Sequence, residues 1–248
     1  MNAPAIPAST LIILRERASG PPEILMVERG SAMAFAAGAM VFPGGRIDPG
    51  DVAMATGLGL GSDGAARIAA IRETLEEVGL AIGITPKPAP GMIRAVRRQL
   101  HAGAAFDRLL AAEGLTLAPD RLTAFARWLP DHPGMRIFDT LFFLAQAPAD
   151  ADVEVDGTEN VRLLWITAAD ALAAADAGEM TIIYPTRRNL ERLAQFGSYA
   201  DACAHAATVP IRTITPFVET RGGVPHLCIP ADAGYPVTGE PIDHVRRQ

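Results

Sequence analysis

The sequence predicts a mixed α/β chain, and three observations carry that expectation. Short runs of branched apolar residues, of strand length, alternate with longer segments whose apolar residues recur at helical spacing. Of the 248 residues 49% are hydrophobic, which suits one large domain with elaborations better than two equal domains. No internal repeat divides the chain.

Residues 10–15 and 23–27 are apolar and separated by Ala-Ser-Gly-Pro-Pro, which reads as two strands joined by a turn. A short third strand is expected at 40–42, stopped by Pro43-Gly44-Gly45. A loop rich in Gly, Asp and Ala should follow to about Gly64. Next, Ile68, Ile71, Leu75 and Val78 recur at helical spacing, with Gly79 placed as the C-terminal stop. The proline-rich stretch 85–91 reads as a stiff connector. Ile93, Val96, Leu100, Phe106 and Leu110 then suggest a second amphipathic helical region. Strands are expected near 124–129, 138–145 and 161–166, helices at 168–177 and 186–196, and an irregular, proline-rich tail from Val209. The expected domain runs from 8 to 200, with an insertion at about 52–66 and a helical elaboration at about 91–120. Residues 201–248 form a C-terminal extension packed on it.

The net charge of −6 and the scattered basic residues argue against a nucleic-acid or membrane surface. Only Lys87 among the 22 basic residues is a lysine. Two cysteines are too few for a disulfide framework. The opening residues lack a basic n-region, and no apolar run approaches the ~20 residues of a spanning helix. A cytoplasmic location is expected.

The sequence Arg72-Glu-Thr-Leu-Glu-Glu-Val-Gly-Leu80 crowds three carboxylates into the end of the first helix. Glu73, Glu76 and Glu77 stand at i, i+3 and i+4 and so share one face. Like charges at that spacing cost a few tenths of a kcal/mol per pair, roughly. Near the negative end of the helix dipole each is misplaced by about 0.3–1 kcal/mol. Arg72 can pair with Glu76, but no lysine or second arginine stands nearby in sequence. Two readings remain open on spacing alone: a solvated acidic face, or a site for a hard divalent cation such as Mg²⁺ or Mn²⁺ with oxygen ligands.

Upstream, Phe42-Pro-Gly-Gly-Arg-Ile-Asp-Pro-Gly-Asp51 sets two glycines at a strand end, where a backbone can turn sharply and approach a ligand. Together the two stretches resemble the Nudix hydrolase signature, G-x5-E-x7-R-E-U-x-E-E-x-G-U with U aliphatic. Arg72, Glu73, Glu76, Glu77, Gly79 and Leu80 fill its second half, and Gly45 and Asp51 its first. Asp51 replaces the usual Glu and Thr74 an aliphatic residue, while twenty residues rather than seven separate Asp51 from Arg72. The extra length falls in a loop, where it costs little.

The resemblance implies an α/β/α sandwich around a mixed sheet and hydrolysis of a phosphoanhydride in a nucleoside diphosphate joined to another group. It implies Glu73, Glu76 and Glu77 as metal ligands for Mg²⁺ or Mn²⁺. The catalytic set would be Glu73, Glu76, Arg72 and, from a later loop, Glu159. Arg72 would hold the glutamates in place, whereas Asp51 is not assigned as a ligand. A small-molecule nucleotide is the implied partner, with no nucleic acid or membrane and a homodimer as a possible assembly.

Trp128-Leu-Pro, Arg136-Ile-Phe-Asp-Thr-Leu-Phe-Phe143 and Tyr184-Pro-Thr-Arg-Arg-Asn-Leu190 are similar to the coenzyme A diphosphatase-like branch, which has a long insertion in the signature. Leu25, Arg29, Gly38 and the Phe-Pro-Gly-Gly stretch fit that branch's upstream motif. Val27, Gly30 and Ala34 replace its Thr, Ser and second Arg. Arg29, Gly44 and Gly45 are the expected substrate contacts, and coenzyme A or an acyl-CoA is the expected substrate, with ADP-ribose or a nucleotide sugar as the alternative. A non-catalytic nucleotide sensor is a third reading, disfavoured because all three glutamates are present. Arg94, Arg97, Arg98 and Arg108 could reach a 3′-phosphate but read better as a solvated face.

Gly59-Leu-Gly-Ser-Asp-Gly64 satisfies G-x-G-x-x-G without the strand a dinucleotide fold needs before it, and reads as flexible insertion. Cys203-Ala-His205 and His226-Leu-Cys228 are spaced too tightly for a usual zinc site. Glu154 and Asp156 read as a solvated acidic loop.

Overall fold

The computed structural model describes residues 4–30, 36–131, 136–149, 151, 153–155 and 160–245. Strands β1 (Ile6–Arg15) and β2 (Glu23–Arg29) form the expected hairpin. The chain then returns as two short strands, β3 (Met40–Val41) and β4 (Gly44–Arg46). Helices α1 (Pro49–Gly57) and α2 (Gly64–Val78) follow, then β5 (Ile84–Thr85), α3 (Pro90–His101), α4 (Phe106–Ala112) and β6 (Thr116–Leu117). Two long strands, β7 (Thr123–Trp128) and β8 (Phe138–Gln146), and β9 (Asn160–Thr167) complete the main sheet's length. Helices α5 (Ala168–Asp176), α6 (Tyr184–Leu193) and α7 (Tyr199–Thr208) come next. The chain ends in β10 (Thr213–Ile214), β11 (Phe217–Arg221), β12 (Val224–Cys228), β13 (Gly239–Pro241) and α8 (Ile242–Val245).

The main sheet is mixed, in the order β10-β7-β8-β1-β2-β3, with β4 added to β1 and β9 to β2. β1 runs parallel to β8 and antiparallel to β2 and β4. Because strand residues alternate between faces, β1 sends Leu11 and Ile13 into a core with Ile68, Ile71 and Leu75 of α2. Ile12 and Leu14 enter a second core with Leu190 and Leu193 of α6. Two helical layers on one sheet make the expected α/β/α sandwich.

Two expectations need correction. The segment after Asp51 is not loop: α1 starts behind Asp48, whose side chain and that of Asp51 form a reciprocal capping box, with Pro49 in the first turn. Its end is ordered as well, since Leu58, Gly59, Leu60 and Gly64 each donate a backbone hydrogen bond within the turn. The chain beyond Val209 is not irregular either. β10 pairs with β7, and β11, β12 and β13 form a separate three-stranded antiparallel sheet. Helix α7, capped by the Ser198 hydroxyl accepting from the Asp201 N–H, was not anticipated.

Candidate active site

Helix α2 ends where expected, Gly79 taking a left-handed φ of 73°. Its carboxylates face β4. Glu77 is buried and accepts a 2.9 Å hydrogen bond from the Gly44 N–H. Glu73 lies under Gly45, where a Cβ would collide with its carboxylate. Gly45 therefore lets β4 ride directly over Glu73, whereas a Cβ at Gly44 would meet the Ser9 carbonyl and Thr10 of β1.

Arg72 organises the cluster. Its Nε donates to Asp51 Oδ1 at 3.0 Å and its Nη2 to Asp51 Oδ2 at 2.9 Å. The Nη1 group donates to Glu73 Oε1 at 2.9 Å, with Glu76 Oε2 farther off at 3.5 Å. Nη2 also reaches the Arg46 carbonyl at 3.0 Å and stands 3.7 Å from Asp48. Burial works against the guanidinium's charge, yet the hydrogen bonds to Asp51 and the facing acids raise its pKa overall. Asp51, only 1% exposed, is thus a bidentate partner of Arg72.

One guanidinium faces four carboxylates. Burial pushes Glu73 up to about 7, with Arg72 opposing the rise and Glu76 adding to it. Burial pushes Glu77 up to about 8, reinforced by Glu73 and opposed by the Gly44 hydrogen bond, Asn160 and Arg29. These buried acids are short of positive charge, and every donor is an oxygen, so the set suits a hard divalent cation. Among the described residues, no three His, Cys, Asp or Glu groups already converge as a metal cage. Arg72 stands between Glu73 and Glu76, and Glu77 is turned towards Gly44.

A second arginine does reach the helix, from a distance that sequence spacing did not suggest. Arg97 of α3 is buried; its Nε donates to the Glu76 carbonyl at 2.8 Å and its Nη2 to the Glu77 carbonyl at 2.8 Å and the Glu154 carbonyl at 2.7 Å. It satisfies carbonyls left open at the end of α2 and sets a cation where the dipole favours one. It is therefore no part of a solvated face, and its guanidinium is committed away from any 3′-phosphate. Arg94, Arg98 and Arg108 are exposed, as expected. His101, at the end of α3, brings Nδ1 to 3.6 Å from Glu76 Oε1. Asn160, buried at the start of β9, stands close enough to Glu77 to oppose the rise in its pKa; no sequence signal marked it. Glu159, Asp156 and Ala34 lie outside the described residues, while Glu154 is exposed.

The acids open into a cavity of about 1050 Å³ that also meets Arg29, Gly44 and Gly45. The three outer sequence motifs converge on it through Trp128, Arg136, Phe138, Phe142, Pro185 and Thr186. Register explains how. β4, β1, β8 and β7 lie side by side, with Arg46 opposite Ala8, Ala8 opposite Thr140 and Thr140 opposite Trp128. Ala8, Thr140, Phe142 and Trp128 belong to the α6 face of the sheet, whereas Glu73, Glu76 and Glu77 belong to the α2 face. The cavity therefore straddles β4 and has an aromatic compartment on one face and an acidic one on the other.

No family model matches the chain. It is 26% identical over 223 residues to the putative nudix hydrolase 7 of Caenorhabditis elegans, a match that covers 86% of this chain and 69% of that protein. A crystal structure of a NUDIX hydrolase from Alicyclobacillus acidocaldarius superposes with a TM-score of 0.71 at 29% identity, covering 81% of this chain and 96% of the other. Fold, site and relatives together support the Nudix hydrolase superfamily and, with it, hydrolase activity. Nudix hydrolases generally use divalent metal cations. Among the described residues, no helix is long and apolar enough to cross a membrane.

Proposed function

We propose that the protein hydrolyses a phosphoanhydride bond in a nucleoside diphosphate linked to another moiety, with coenzyme A or an acyl-CoA favoured over ADP-ribose or a nucleotide sugar. The observation that carries this reading is the group of carboxylates, Glu77 buried and Glu73 and Glu76 half-buried, deficient in positive charge and lying under a glycine strand in a large cavity. Glu73, Glu76 and Glu77 would hold Mg²⁺ or Mn²⁺, which when bound would screen the diphosphate, polarise phosphorus and acidify a water.

The chain's own groups supply the rest. Gly44 and Gly45 give a diphosphate close access to the acids. Arg29, near Glu77, would meet a phosphate oxygen. Arg72 holds Glu73 and Glu76 in place and does not itself touch substrate. Glu73, Glu76 or Glu159 would accept the proton of the attacking water.

In the aromatic compartment, the half-buried ring of Phe138, backed by the buried Trp128 and Phe142, suits the flat face of a nucleobase. The cavity lies at the upper end of the ~300–1,000 Å³ usual for ligand sites, room for a substrate larger than a mononucleotide. Arg136 at its wall supplies a cation for a ribose phosphate, the feature that separates coenzyme A from ADP-ribose.

The assay is release of adenosine 3′,5′-bisphosphate from coenzyme A, run beside ADP-ribose with Mg²⁺ and with Mn²⁺. Faster turnover of coenzyme A is expected. Hydrolysis of neither with any divalent metal would leave a nucleotide-binding role without cleavage. Glu76→Gln should lower metal-dependent turnover by on the order of 10² or more. An undiminished rate would remove the metal site from α2.

A further inference from the structure

On the α2 face, the cavity runs past the carboxylates into a space walled by two elaborations of the fold. Helix α1 supplies Met54, and the end of α3 with the turn into α4 supplies Leu100, Ala104, Ala105 and Phe106. α1 and α4 pack against each other, so the two elaborations flank the space together. Its polar lining is acidic on balance, with Asp48, Glu76 and Asp107 against His101, whose Nδ1 stands 3.6 Å from Glu76 Oε1. Among the described lining residues, the cations lie elsewhere or are committed. Arg72 is bound to Asp51, Arg29 acts on Glu77, and Arg136 stands beside the aromatic strand β8. Gly45 faces Glu73, so strand alternation turns Arg46 to the other face. An anionic group entering this space would meet three carboxylates and one imidazole, His101, that already faces Glu76, whereas an uncharged chain would meet methyl and phenyl groups.

We propose that this compartment is a subsite for the uncharged tail of the substrate, the part beyond the diphosphate from the nucleoside. The assignment rests on the functional reading above and deepens it. The nucleoside takes the aromatic compartment, the diphosphate lies at β4, and an amide or alkyl chain runs between α1 and the α3–α4 turn. Each methylene that enters should tighten binding by up to about fourfold, the equivalent of ~0.8 kcal/mol of burial.

The test compares ADP with a medium-chain acyl-CoA, which carries the tail and a ribose 3′-phosphate in addition, by calorimetric titration in Mg²⁺ on the slow Glu76→Gln background. The 3′-phosphate is remote from α4, so only the tail should respond to a change there. Ala105→Trp fills the compartment from an exposed position at the start of α4. Relative to the same background without it, Ala105→Trp should weaken the acyl-CoA at least tenfold and leave ADP within about twofold. Equal weakening of both ligands, or of neither, would overturn the subsite while leaving the functional reading intact. Since Ala105→Trp could perturb α4, lengthening the acyl chain on the Glu76→Gln protein gives a second readout: tighter binding with length supports the subsite, and no change overturns it. Failure of both ligands to bind any form, wild type included, would overturn the functional reading and the subsite with it.

Discussion

Asp51 shows how much one side chain can owe to a partner twenty-one residues away. It is shorter by a methylene than the glutamate of the family signature, yet its two oxygens grip Nε and Nη2 of Arg72. It also accepts from the Asp48 N–H at the start of α1. The same carboxylate thus starts one helix and orients the arginine of the next. Asp51→Ala would remove the bidentate partner of a guanidinium that keeps Glu73 and the Arg46 carbonyl, a loss of charge-assisted hydrogen bonding of about 1.5–3 kcal/mol. Chemical denaturation of Asp51→Ala against wild type should show a loss of that order, and a change below about 1 kcal/mol would contradict the pairing.

At the scale of elements, α2 was legible because its apolar residues kept helical spacing and Gly79 closed it. The carboxylate face was legible for the same reason. What offsets those charges was not, because Arg97 arrives through the packing of α3 against α2, and contacts between helices leave no trace in local spacing. Arg97→Ala would strip partners from the Glu76, Glu77 and Glu154 carbonyls. Hydrogen bonds to a charged group contribute about 1.5–3 kcal/mol each, though not additively, so a loss of about 3 kcal/mol is expected. For a chain of this size that is a Tm lower by about 6–12 °C, readable by calorimetry; an unchanged Tm would argue against the cap. Helix α1 did carry a signal, in the N-cap, N1 proline and N3 acid of Asp48-Pro49-Gly50-Asp51. The glycines and the short apolar content around it concealed that signal. The late strands were harder, since two- to five-residue strands with exposed faces and prolines show no alternation.

Across the whole molecule, helix α6 ties the terminal segment to the sheet through buried charge. Arg188, 1% exposed, donates to Glu191 at 2.8 Å and to Glu240 of β13 at 2.9 Å. Tyr235 donates to Asn189 at 2.7 Å and accepts from Trp128 of the cavity wall at 3.0 Å. Burial pushes Glu191 from 4.5 up to about 7, against the pull of Arg188 and Arg187. An acid whose folded pKa is raised binds its proton more readily in the folded chain. Its contribution to stability therefore falls as pH rises from about 4.5 to about 7 and is flat above. Glu191→Gln, which cannot ionise, should lose less Tm than wild type between pH 5 and pH 7.5. Parallel curves for the two proteins would contradict the burial of that charge.

The placement of β4 between the two compartments has a kinetic corollary. If the scissile bond lies at the strand, cleavage leaves one fragment on each side of the sheet, each held by its own wall. Neither fragment then has to wait for the other to depart, and the order of their release is set by how firmly each wall holds its half.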